Sequence, residues 1–121
     1  MRPFGELEAA VMERLWSYGR ATTVREVLDD LNRDRALAYT TVMTVMDNLH
    51  RKGWLRRQME GRAYLYEPVS SRQEYSARLM AEALADSTDP QATLVHFLEQ
   101  MPAEETTALQ NLLRRLGRAK R

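Results

Sequence analysis

The chain has 121 residues, a formal net charge of +1 and no cysteine. That length suits one domain, or a small domain with an appended module, and the missing thiols exclude a disulfide framework and any thiolate metal site. No apolar run approaches the roughly 18 residues of a membrane span and no signal-peptide pattern opens the chain, so a cytoplasmic protein without membrane insertion is expected.

Leu7, Val11, Leu15 and Trp16 recur at helical spacing and predict a first amphipathic helix, closed by Gly19 as a left-handed cap. Thr23-Val24-Arg25-Glu26 fits a capping box, with the Thr hydroxyl accepting from a free N–H while Glu26 reaches back. The helix it opens places Val24, Val27, Leu28 and Leu31 on one face. A polar connection, Asn32 to Arg35, leads to the stretch YTTVMTVMDNLHRKGW, Tyr39 to Trp54. Threonine and valine are mediocre helix formers, yet Val42, Val45, Met46 and Leu49 fall on one helical face. Its start is open between Ala38, a weak cap, and Thr40, a good one. The opposite face holds Thr40, Thr41, Met43, Thr44, Asp47 and Asn48.

After Gly53 the pattern changes. Trp54 to Met59 and Arg62 to Tyr66, joined by Glu60-Gly61, predict a β-hairpin that ends at Pro68 and Ser70-Ser71. Three helices and a hairpin form the layout of a winged helix-turn-helix, expected over residues 1–69. In that layout the third helix enters the DNA major groove and the hairpin lies over the backbone. Short threonine side chains and the Met43 thioether suit base edges and thymine methyls. From Leu49 to Tyr64 the charge is +4, leaving −3 to the rest of the chain. Its cations, Arg51, Lys52, Arg56, Arg57 and Arg62, are expected at phosphates. Tyr39, Trp54, Tyr64 and Tyr66 read as packing residues, with the Tyr39 and Tyr64 hydroxyls also in reach of phosphate.

Residues 70–121 predict three more helices. The first, about Arg72 to Ala85, carries Tyr75 and Leu79. The second, capped by Asp89-Pro90, carries Leu94, Phe97 and Leu98. The third follows Pro102 with Leu109, Leu112, Leu113 and Leu116 in a stripe. About 50 residues rarely sustain a core alone, so these stripes are expected to form a dimerisation module against a second copy of the chain. The fold class is therefore mainly α with a small β-hairpin: a winged-helix domain followed by a three-helix dimerisation domain. The two histidines, His50 and His96, lie far apart with no carboxylate triad, which excludes an enzyme reading. His50 reads as a surface residue at a helix end.

The segments Leu7 to Met12 with Leu15-Trp16, Val24 to Val27, YTTVMTVMDNLHRKGW, RAYLYEP and ATLVHFLEQ together resemble the BlaI/MecI/CopY family of bacterial repressors over essentially the whole chain. The resemblance implies a homodimer on a palindromic double-stranded DNA operator. It assigns base reading to Thr40, Thr41, Met43 and Thr44, and backbone contacts to Arg51, Lys52 and Arg62. Some members carry arginine where this chain has Met43. Members of the copper-responsive branch use a cysteine metal site; this chain has no cysteine, so no metal or other cofactor is implied. Penicillinase repressors are cut in the C-terminal helices by a membrane sensor-protease, before a phenylalanine. The matching bond is His96–Phe97, where the best-known family sites have asparagine in place of His96. A reading from a different class is a winged-helix adaptor that binds another protein without sequence-specific DNA binding.

Overall fold

The computed structural model describes residues 4–119. It contains α1 (Glu6–Tyr18), α2 (Val24–Leu31), α3 (Tyr39–Arg51), β1 (Leu55–Glu60), β2 (Ala63–Pro68), α4 (Arg72–Ala85), α5 (Pro90–Glu99) and α6 (Ala103–Ala119). This is a winged helix-turn-helix followed by three helices. Two compact units divide the chain, the first reaching Leu79 and the second starting at Met80. The division falls ten residues beyond the expected boundary at residues 69 and 70 and lies inside α4.

The core of the first unit is built from one apolar stripe per helix. Val11, Met12 and Leu15 of α1, Val27, Leu28 and Leu31 of α2, and Val42, Met46 and Leu49 of α3 are buried together with Leu55 and Tyr66 of the hairpin. Burial of such stripes overrides the poor intrinsic propensity of the α3 sequence. Asn32 shapes the turn before α3: its amide accepts from Leu37 N–H at 2.8 Å and donates to Leu37 C=O at 3.0 Å. Helix α3 starts at Ala38 as the N-cap, with no side-chain cap, so Thr40 is inside the first turn and its hydroxyl is not spent on capping.

The C-terminus of α3 is closed by a Schellman motif. Gly53 N–H donates to His50 C=O at 3.0 Å, Trp54 N–H donates to Leu49 C=O at 2.9 Å, and Gly53 takes φ +89°. His50 is half-buried rather than a free surface residue: its Nδ1 lies 3.1 Å from Leu55 C=O, tying the helix end to β1.

The hairpin is antiparallel with Glu60 opposite Ala63, so the two-residue loop is Gly61-Arg62 and not the expected Glu60-Gly61. Gly61 at the first loop position, with φ +63°, fits a type II′ turn and puts Arg62 at the tip. Thr22, in the loop after α1, pairs with Tyr66 through two backbone hydrogen bonds of 2.8 Å, adding a one-residue third strand. Thr23 caps α2. Its hydroxyl accepts from Glu26 N–H at 3.2 Å, while the Glu26 carboxylate pairs chiefly with Arg20 at 2.6 Å and turns its other oxygen to Thr23 at 3.4 Å from the hydroxyl. A reciprocal box occurs at Ser71 and Glu74, opening α4.

Tyr75 explains why the first turns of α4 belong with the first unit. Its ring stacks on Phe4 at 4.9 Å and meets Trp16 at 5.2 Å and Trp54 at 5.4 Å. Tyr75 was expected on the dimerisation stripe; it is instead packed inside this aromatic cluster. In the second unit no side chain of α5 or α6 is buried, and Leu94, Phe97, Leu98, Leu112, Leu113 and Leu116 are all exposed. Leu79 and Leu109 are half-buried.

Replacing Gly53 forces a Cβ into a left-handed conformation at the junction of helix and wing. Gly53→Ala is expected to lower stability by about 1–2 kcal/mol, measured by urea unfolding.

Candidate nucleic-acid interface

Helix α3 presents its inner stripe to the core, and that fixes what faces outward. Thr40, Thr41, Met43 and Thr44 are exposed, Met43 at 42%. They form a surface of hydroxyls, methyls and one thioether, free of side chains long enough to hold the helix away from a groove floor. Tyr39, at the start of the helix, is exposed, and Arg25 of α2 stacks over its ring at 4.9 Å. Arg25 was not singled out from the sequence. Its neighbourhood with Tyr39 arises from the α2–α3 turn, which residue spacing does not display.

The basic cluster is less free than its charge suggests. Arg51 Nη2 lies 2.9 Å from Asp47 Oδ2, Lys52 Nζ 2.9 Å from Glu8 Oε2, and Arg56 Nε 2.9 Å from Glu67 Oε1. Arg57 Nη1 donates to Asp47 Oδ1 at 2.8 Å and to the Tyr66 hydroxyl at 3.3 Å, with its guanidinium over the Tyr64 ring at 4.1 Å. Three carboxylates therefore oppose the +4 window and bring the local balance to +1. Arg62 alone of the five cations forms no ion pair among the described residues, and it projects from the exposed tip.

Arg57 departs from the expected phosphate role. Its side chain is 23% exposed against 62% for Arg56 and 67% for Arg51. The cause is strand alternation: Leu55, Arg57 and Met59 share one face of β1, and Leu55 is buried. That period-two pattern was present in the sequence. The apolar neighbours Trp54 and Leu55 left open which parity faces inward. Hydrogen bonds from Arg57, joined by the charges of Arg51 and Arg57, hold the Asp47 carboxyl below its ordinary value. For Glu8, burial pushes the carboxyl up, but hydrogen bonds from Lys52 and Gly5 N–H outweigh it and the net shift is downward.

Residues 4–115 match the penicillinase repressor family. The chain belongs to that family. It is 47% identical over 115 residues to the transcriptional regulator BlaI of Mycobacterium tuberculosis, covering 93% of this chain and 83% of the relative. A solution structure of the DNA-binding domain of the repressor BlaI superposes with a TM-score of 0.54 at 26% identity, covering 60% of this chain and 88% of that one. MepR, a transcription regulator of the Staphylococcus aureus multidrug efflux pump MepA, matches with a TM-score of 0.52 at 13% identity, covering 98% and 82% of the two chains. That likeness concerns the fold.

As a homologue of a transcriptional regulator within a repressor family, this chain is a DNA-binding regulator and not an enzyme. Among the described residues no group of acidic or histidine side chains is arranged to hold a metal ion, and no helix is long and apolar enough to cross a membrane.

The Asp47 carboxyl titrates lower in the folded chain than in the unfolded one. Its stabilisation is therefore fully present above its unfolded value, near 3.8, and is lost as pH falls through the lower folded value. Asp47→Asn is expected to flatten that part of the acid-unfolding curve while changing nothing in its pH dependence above neutrality. Arg57→Ala is expected to lower the melting temperature and speed hydrogen exchange in β1 and β2; unchanged wing protection refutes a role for the Arg57 bonds to Asp47 and Tyr66 in holding the wing on α3.

Proposed function

We propose that this chain is a homodimeric transcriptional repressor that reads a palindromic operator with α3 and grips the backbone with its wing. The observation that carries this reading is the α3 surface: Val42, Met46 and Leu49 are buried in the core, and an outer face of Thr40, Thr41, Met43 and Thr44 is left bare. Those four are the base-reading residues. Arg62 at the wing tip is the principal backbone contact. Arg51, Lys52 and Arg56 reach phosphate by exchanging their carboxylate partners, and the hydroxyls of Tyr39 and Tyr64, both exposed, supplement them.

The second unit, from Met80 onward, supplies dimerisation. The exposed leucines and Phe97 of α5 and α6 support that assignment, because such stripes are stable in water only when covered. Two recognition helices related by a two-fold axis then meet half-sites about one DNA turn apart. Release follows cleavage by a membrane sensor-protease at His96–Phe97, both exposed on α5. Because the bond lies within a helix, α5 must unwind locally to enter a protease cleft.

A gel shift with duplexes selected from a random library tests the reading. With roughly six to ten phosphates contacted, affinity is expected to fall by about three to five orders of magnitude between roughly 50 and 200 mM salt. Thr44→Ala is expected to change the selected sequence, whereas Arg62→Ala weakens all sequences and lowers the salt slope by about 1. Recovery of no preferred sequence refutes the repressor reading, and a stable monomer in light scattering refutes the dimer.

A further inference from the structure

Arg25 lies in the first turn of α2, just after the Thr23 cap, and is exposed. Its guanidinium stands over the Tyr39 ring at 4.9 Å, a contact that joins the start of α2 to the start of α3. Tyr39 and Met43 are four residues apart on α3 and share one flank of it, so the pair borders the bare outer face. The neighbouring carboxylate, Glu26, is taken by Arg20 at 2.6 Å. Among the described residues Arg25 forms no ion pair, not even with Asp29 one turn along the same helix.

This sets Arg25 apart from most cations around α3. Arg51, Lys52 and Arg56 each hold a carboxylate, which a phosphate must displace. An ion pair cancels the charge of its arginine; a ring does not. Contact with the ring restricts the side chain before DNA arrives, so less freedom is lost on binding, and N–H donors remain for a phosphate oxygen. The Tyr39 hydroxyl, on the same exposed ring, supplies a further donor.

We propose that Arg25 and Tyr39 form a phosphodiester-binding site at the N-terminal end of the reading helix. The ring positions the guanidinium, and guanidinium and hydroxyl together hold one backbone phosphate of any sequence. Like Arg62 on the wing that follows α3, Arg25 meets DNA with no ion pair to break. The site rests on the DNA-binding reading given above.

The test follows the affinity of the full chain across a range of salt, for a duplex selected from a random library and a shuffled duplex of the same composition. Arg25→Gln is expected to weaken binding to both about tenfold and to lower the salt slope by about 1 per subunit bound. Arg25→Lys is expected to keep the slope, because the charge stays, yet to bind more weakly than the wild type, because an ammonium lacks the planar fork. In a Tyr39→Leu background, Arg25→Gln is expected to cost less than in the wild type, the coupling of two groups that share one phosphate. A stack that serves the fold alone lowers the melting temperature of Arg25→Gln and leaves its salt slope unchanged. That result overturns the inference while leaving α3 and Arg62 in their proposed roles. Failure of the wild-type chain to bind either duplex at low salt overturns the DNA-binding reading and this inference with it.

Discussion

Tyr66 is where the first unit is tied together. Its backbone pairs on one side with β1 and on the other with Thr22, so the loop after α1 and the hairpin share one small sheet. Its ring is buried, and its hydroxyl accepts from Arg57, whose guanidinium reaches Asp47 on α3. Tyr66 thus links the helical core and the wing and, through Arg57, α3. The angle between wing and helix is set by these hydrogen bonds and burial together with the Schellman motif at Gly53.

The helices were legible in the sequence because their signal is local. Val42, Met46 and Leu49 declare an inner face within one short window, and Thr23 and Asp89 cap the helices that follow them. The hairpin was legible to within one residue: both dipeptides that share Gly61 can form the loop, and burial of Leu55 and Tyr66 selects the register. What the sequence did not display depends on docking between elements. Lys52 and Glu8 lie 44 residues apart, and Asp47 and Arg57 lie on different elements. Phe4 and Tyr75 stack although one precedes α1 and the other lies in α4. No periodicity or motif encodes such meetings.

These hidden pairs also change the electrostatic picture of the surface. A run of five cations reads as a strongly attractive patch, and the folded chain offers a nearly balanced one. Long-range attraction to DNA is therefore modest, and affinity depends more on contacts made after docking. The same arrangement leaves Arg62, at the wing tip, as the one cation of the five without an ion pair among the described residues.

The aromatic cluster around Tyr75 bears on what cleavage at His96 leaves behind. Phe4, Trp16, Trp54 and Tyr75 all precede that bond, as do the whole core and both strands. Under the proposed release mechanism the N-terminal fragment remains folded, with its reading face unaltered. Repression then ends through valency: once the two reading heads are no longer joined, the second half-site must be found from bulk solution instead of at the high effective concentration that a tether provides. The cell would still contain an intact binding head, present at too low a concentration to hold the site.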